Sequence, residues 1–222
     1  MAENRTKPGA ADFAAVEDWA GYFDAVSGKP PRETLVLALK LFDGEGVTRF
    51  PRVAVDLGAG EGRDTAELLR RGWRVDAIDA HPESLMRIWN RADLVNTDRL
   101  TTTRATYEQC VLPACDLLNA SYALPFCSPP PFGAVWAKIG AAVRPGGRFA
   151  GQFFGDRDTW ATIPGRSHQT EAQVRAMLVG WEVEQFQVEE NDKPTSMGEQ
   201  KHWHIFHVVA RKPGGTAPRK QA

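Results

Sequence analysis

Apolar residues fall at helical spacing in some stretches and in short runs or alternations in others, and the two patterns take turns along the chain. Residues 12–26 set Phe13, Val16, Trp19, Ala20 and Phe23 on one helical face, with Asp12 as the expected N-cap. Lys29-Pro30-Pro31-Arg32 interrupts, and residues 33–42 make a second short helix. Val53, Ala54 and Val55 open an apolar run that reads as a buried parallel strand. After a glycine-broken turn, residues 64–71 form a helix around Ala66, Leu68 and Leu69, which Gly72 ends. Residues 73–79 give a second strand, and His81-Pro82 starts a helix reaching residue 92. Next come strands over 100–105 and from Cys115, the latter opening into a loop by Tyr122. A helix over 132–143, a sharp Arg-Pro-Gly-Gly turn at 144–147 and a strand over 148–154 follow. Residues 170–178 read as a helix with Thr170 as N-cap, and residues 182–188 and 203–210 alternate as two strands. Strands that alternate with helices predict an α/β fold, a doubly wound, mostly parallel sheet of seven strands. A closing hairpin makes the last strand antiparallel.

Composition narrows the class. The 222 residues suit one domain with a sizeable core, and 27 Lys and Arg against 28 Asp and Glu leave a net charge of −1. That balance argues against a duplex-binding surface, so no nucleic-acid partner is expected. No apolar run approaches a membrane span, and the polar N-terminus has no secretory apolar segment. Cys110, Cys115 and Cys127 are odd in number and lack metal spacing, which points to reduced thiols in a cytoplasm. Residues 1–11 and 213–222 are expected to be polar tails.

The chemistry centres on Asp56-Leu57-Gly58-Ala59-Gly60-Glu61-Gly62-Arg63-Asp64. A strand that turns through glycines into a helix is expected to present bare backbone N–H groups to a ligand. A dinucleotide fingerprint is Gly-x-Gly-x-x-Gly, whereas Gly58, Gly60 and Gly62 recur at every second residue. No Gly-Lys-Ser/Thr follows, so a P-loop is excluded. Asp56, at the end of the strand, suits a ligand with a cationic group better than one with phosphates. Asp79 closes the next strand about twenty residues on, where an acid accepts both hydroxyls of a ribose. Its other role is to cap the turn before His81-Pro82.

The motif Asp56-Leu57-Gly58-Ala59-Gly60-Glu61-Gly62 resembles the first motif of class I S-adenosylmethionine-dependent methyltransferases. The helix, Arg-Pro-Gly-Gly turn and strand after residue 132 are similar to the same Rossmann-like fold, and the likeness spans about Val53 to Arg211. Within bacterial members, the Gly-Glu-Gly-Arg-Asp turn and the helices before the first strand look nearest to small-molecule and tellurite-resistance-like groups. The resemblance implies S-adenosylmethionine as cofactor and a methyltransferase domain over 51–212, preceded by a helical lid over 12–50, whose other reading is a segment that docks Trp19 and Phe23 on the core. It places Leu57, Gly58, Ala59 and Gly60 under the methionine part, with Asp56 beside them. It sets Asp79 and Ala80 at the ribose, Thr106 and Tyr107 at the adenine, and Asn119 and Ala120 near the reactive end. Thr106 stands where the family often has Asp. Tyr22 and Arg32, from the lid, are expected at the methionine end, with Arg32 pairing its carboxylate.

The acceptor is expected to be a small molecule, with the loop over 155–168 shaping its choice. Transfer of an activated methyl mainly needs alignment and exclusion of water, worth up to ~7–11 kcal/mol. Where a base is required, His168 and Tyr122 are candidates, and neither is singled out. His202 and His204 share one strand face while His207 points to the other, with no cysteine or carboxylate cluster, so no metal is expected. Two other classes stay open: a nicotinamide-dependent oxidoreductase, which the glycine spacing disfavours, and a non-catalytic protein that keeps the cofactor fold.

Overall fold

The computed structural model describes residues 18–46, 48 and 50–214. Seven strands make the body of its sheet: β1 (Val53–Leu57), β2 (Arg74–Asp79), β3 (Leu100–Arg104), β4 (Cys115–Ala120), β5 (Val143–Gly155), β7 (Glu182–Pro194) and β8 (Gln200–Arg211). They lie in the order β3-β2-β1-β4-β5-β8-β7 and are the seven expected strands. An eighth, β6 (His168–Gln169), pairs with the end of β5 inside the segment expected to be loop. β1 to β5 run parallel, and β8 joins β5 and β7 antiparallel.

Two apolar layers cover the sheet, as alternation on buried strands requires. A first helix, α1 (Trp19–Val26), precedes them in the chain. On one face α2 (Glu33–Gly44), α3 (Arg63–Arg70) and α4 (Pro82–Trp89) bury Leu35, Leu39, Phe42, Leu68, Leu69 and Ile88. On the other, α5 (Pro129–Ala142) and α6 (Glu171–Met177) bury Phe132, Val135, Ile139 and Val174 against Phe149 and Phe153. Ala150, between those two phenylalanines, belongs to the first layer.

Several boundaries differ from the pattern-based expectation, each for a local reason. α1 is capped by Asp18, whose side chain accepts from the Gly21 N–H at 2.8 Å; residues 12–17 of the expected helix lie outside the described residues. α5 starts at Pro129, three residues before the expected start at Phe132, because proline lacks only an N–H that the first turn does not need. The Arg-Pro-Gly-Gly segment is an irregularity within β5: Val143 pairs with Cys115, and pairing resumes at Arg148 with Leu117. The hairpin continues well past its expected ends, to Pro194 and back from Gln200. Thr170 caps α6 as expected, in a reciprocal pair with Gln173.

The strand order reverses between β1 and β4, where Asp56 sits opposite Asn119. A crevice opens at the carboxyl ends of strands at such a reversal, and the ligand site of an open α/β sheet lies there.

Candidate active site

A cavity of about 660 Å³ opens at that reversal. The end of β1 and the glycine turn form its floor. Gly58 sits at φ +73°, and a Cβ there would lie 2.5 Å from the Ala123 Cβ, so only glycine fits. Gly62 serves packing instead. It is a left-handed N-cap of α3 whose Cβ would meet the Ile88 side chain at 2.7 Å, so it lets α3 and α4 approach closely.

The turn does not present the bare N–H groups expected from its sequence. The Gly58 and Ala59 N–H groups both donate to the Ile78 carbonyl, at 2.8 and 3.1 Å. Gly60 donates to Asp79 Oδ2 at 2.9 Å, and Gly62 donates to the Ala59 carbonyl at 3.0 Å. Adjacent β2 has consumed most of these donors, and a pyrophosphate would have to compete for them.

Carboxylates crowd beneath the turn. Asp56 Oδ2 accepts from Thr65 Oγ1 at 2.6 Å and its Oδ1 from Asn119 Nδ2 at 2.9 Å. The same Asn119 amide donates to Asp64 Oδ2 at 2.9 Å, and the Arg32 N–H donates to Asp64 Oδ1 at 2.9 Å. Burial, and then the Asp64 charge, pushes the Asp56 carboxyl up to about 7. Burial also raises Glu61, although Arg63 stands 3.2 Å away. A cation in the cavity would relieve both groups. Asp79 Oδ1 accepts from the His81 N–H at 2.8 Å, so its two oxygens brace the turn on both sides. Each keeps a second lone pair toward the cavity it lines.

The α1–α2 segment closes one side. The Trp19 ring meets Phe126 at 4.8 Å between centroids, and Phe23 packs at 5.6 Å from His81. Arg32 donates to the Tyr22 hydroxyl at 3.1 Å and lies 4.3 Å over the Tyr122 ring. Arg87 ties α1 down through Asp24 at 2.6 Å.

Eleven of the expected residues meet around this space: Tyr22, Arg32, Asp56, Leu57, Gly58, Ala59, Gly60, Asp79, Ala80, Thr106 and Tyr107 all line it. Asn119 and Ala120 do not. Both are fully buried, because inward-facing side chains of a central strand go to the core, and Asn119 serves as a brace under the floor. Neither candidate base holds. Burial pushes the Tyr122 phenol up to about 12, so it stays protonated. His168 lies behind Phe154, 5.9 Å from its ring, and burial lowers its pKa; it does not line the cavity. The outer wall contains Trp160 and Arg166, from the loop over 155–168 expected to shape acceptor choice, and Phe126, Glu189, Glu199 and Trp203, which the sequence did not single out. Strand alternation marked Trp203 only as a packing residue. The hairpin that carries the two glutamates over the sheet edge had no local signal.

A family model described as a methyltransferase domain matches residues 54–147, which hold the glycine turn, Asp79 and the Thr106-Tyr107 edge. Over that stretch the chain is similar to a methyltransferase domain. Solved structures repeat the fold. TehB from Haemophilus influenzae is 15% identical with a TM-score of 0.68, covering 87% of this chain and 67% of that one. The 1,6-didemethyltoxoflavin-N1-methyltransferase from Burkholderia thailandensis is 22% identical with a TM-score of 0.60, over 95% and 93%. The N-methyltransferase NodS from Bradyrhizobium japonicum is 15% identical with a TM-score of 0.63, over 84% and 90%. A comparison with curated proteins finds no match. The cavity floor offers S-adenosylmethionine a glycine cradle, the Asp79 carboxylate and the carboxyl groups of Asp56 and Asp64. Among its described residues, no helix is long and apolar enough to cross a membrane.

Proposed function

We propose that the chain transfers the methyl group of S-adenosylmethionine to a small-molecule acceptor in the cytoplasm, without nucleic acid or membrane. The observation that carries this reading is the glycine turn whose N–H groups are taken, set over buried carboxylates. A nicotinamide cofactor would bring a pyrophosphate to donors that are occupied and to charges that repel it. The cavity volume of about 660 Å³ and the net charge of −1 support a small acceptor over a polynucleotide. The Burkholderia neighbour, solved with 1,6-didemethyltoxoflavin and S-adenosylhomocysteine, and NodS, solved with S-adenosylhomocysteine, favour the same class.

In this reading Gly58, Ala59 and Gly60 lie beneath the cofactor, Asp79 accepts ribose hydroxyls, and Thr106 and Tyr107 border the adenine. Arg32 supplies a fixed positive charge for the cofactor carboxylate, held in place by Tyr22 and Tyr122. When bound, the cofactor supplies a methyl already activated by a cationic sulfur. The chain's own residues orient the two reactants and keep water out: Trp19, Phe23 and Tyr22 wall the site from solvent. Calorimetry with S-adenosylmethionine, S-adenosylhomocysteine and NADH tests the reading. Both sulfur compounds should bind and NADH should not. Tighter binding of NADH would overturn it.

A further inference from the structure

The outer half of the cavity differs from the floor. Its walls are aromatic: Phe126 faces Trp160 at 6.3 Å, Trp160 faces Trp203 at 5.8 Å, and Phe154 stands 5.8 Å from Trp203. The Arg166 guanidinium lies 4.2 Å over Phe126. These rings come from three separate parts of the chain: the turn after β4, the end of β5 with the loop that follows it, and β8. The rings pack against one another along the outer end of the cavity, with the Lys201 ammonium 3.6 Å over the Trp203 ring and 4.4 Å over the Trp160 ring.

The polar atoms on this wall that are buried without a hydrogen-bonding partner among the described residues include the Trp160 indole Nε1 and Glu199 Oε1. One is a donor only, the other belongs to a carboxyl acceptor. A buried polar group without a partner is costly, so a complementary ligand edge would be favoured there. Glu199 is also the spare acid of the outer wall. Glu189 is occupied by His207 at 3.0 Å, Asn191 at 2.8 Å and Lys193 at 3.3 Å. Asp158, deeper in, is bound to Lys201 and to the Trp160 and His204 N–H groups, and it does not line the cavity. Burial raises the Glu199 pKa against the opposing pull of the Lys201 charge, which favours proton uptake.

We propose that this chamber holds the methyl acceptor and selects a planar aromatic or heteroaromatic molecule bearing a hydroxyl or ring N–H. Glu199 takes that proton, while the Trp160 N–H donates to a neighbouring acceptor atom on the same ring edge. The inference rests on the methyl-transfer reading above. The acceptor oxygen or nitrogen gives its lone pair to the methyl carbon, and the carbon–sulfur pair stays with sulfur. The acceptor's proton passes to the Glu199 carboxylate and then to water as product leaves. The aromatic residues that line the cavity supply apolar contact area at little entropic cost.

Calorimetric titration of the full chain tests this, with and without saturating S-adenosylhomocysteine. The probes are lumazine, its 1,3-dimethyl derivative, which lacks the ring N–H groups, and ethanolamine as a non-aromatic control. Lumazine should bind with a Kd of about 1 mM or tighter, and ethanolamine should not bind. Lumazine should bind about tenfold tighter than the dimethyl derivative, and Glu199→Gln should erase that difference. Trp160→Phe, which keeps a ring and loses the N–H, should weaken lumazine by about fivefold to tenfold. Binding of S-adenosylhomocysteine without binding of lumazine would overturn the chamber assignment, as would equal binding of ethanolamine. A lumazine preference untouched by Glu199→Gln would overturn the role of that carboxyl. Failure of S-adenosylhomocysteine to bind while lumazine does would instead count against the methyl-transfer reading and leave the chamber standing.

Discussion

At the scale of single residues, Asp79 combines two roles. Its oxygens each accept one backbone N–H, from Gly60 and from His81, which fixes the glycine turn against β2. Each retains acceptor capacity toward the cavity. Sequence spacing pointed to the ribose role and to the turn-capping role as alternatives; the geometry permits both at once, because a carboxylate offers about four lone-pair sites. Asp79→Ala should therefore act twice. Affinity for S-adenosylhomocysteine should fall about ten- to a hundredfold, the value of charge-assisted hydrogen bonds of about 1.5–3 kcal/mol. The melting temperature should drop as well, since two N–H groups lose their acceptor. Calorimetry and thermal unfolding on the same sample read both, and a folded variant with unchanged affinity would confine Asp79 to the turn.

The segment before β1 poses the question at the scale of an element. α1 is short, and the contacts that hold it include the buried Phe23 and Val26, Trp19 on Phe126, Tyr22 to Arg32, and Asp24 to Arg87. α2, by contrast, buries Leu35, Ala38, Leu39 and Phe42 in the core. We propose that α1 and the Pro-Pro break move as a lid, with α2 as its fixed base. Lids are drawn from short segments with few core side chains, and α1 buries two where α2 buries five. Tryptic cleavage near Lys29 and Arg32, followed by mass spectrometry, should slow at least severalfold when S-adenosylhomocysteine is added. Removing residues 1–30 should weaken its binding by about tenfold while the sheet stays folded. Equal cleavage rates together with intact binding after truncation would make α1 a packing element only.

For the whole molecule, the carboxylates beneath the floor set a pH dependence of stability. Asp56 is raised in the folded chain to about 7 by burial and by Asp64, while an unfolded Asp titrates near ~3.9. The native state thus holds a proton that the unfolded state has released across that window. Its contribution is fully present below about pH 4 and is lost as pH rises through about 7, since stability falls wherever the native state binds more protons. In Asp56→Asn the amide oxygen can accept from Asn119 while the amide nitrogen donates to the Thr65 hydroxyl. The stability of that variant relative to the parent should climb between about pH 4 and 7, by no more than about 1.4 kcal/mol per pH unit, and level off above. Urea unfolding at several pH values across that range checks it, and a flat difference would refute the raised carboxyl.

The sheet, the order of its helices and most of the residues that line the cavity floor were legible in the sequence. Those features are local: period-two and period-3.6 patterns, a glycine spacing and an acid about twenty residues on are each readable within one short stretch. Even there, it is the packing of neighbouring strands that lets β2 take the turn's N–H groups and turns Asn119 to the buried carboxylates instead of the cavity. Both outcomes depend on which strands end up adjacent. The acceptor half was almost wholly a product of the fold. Trp160 lies in the loop over 155–168 expected to shape acceptor choice, whereas Phe126, Glu199 and Trp203 come from other parts of the chain and each on its own looks like an ordinary loop or packing residue. They meet only because β8 returns antiparallel beside β5 and its hairpin runs past the sheet edge, which brings their side chains to one wall.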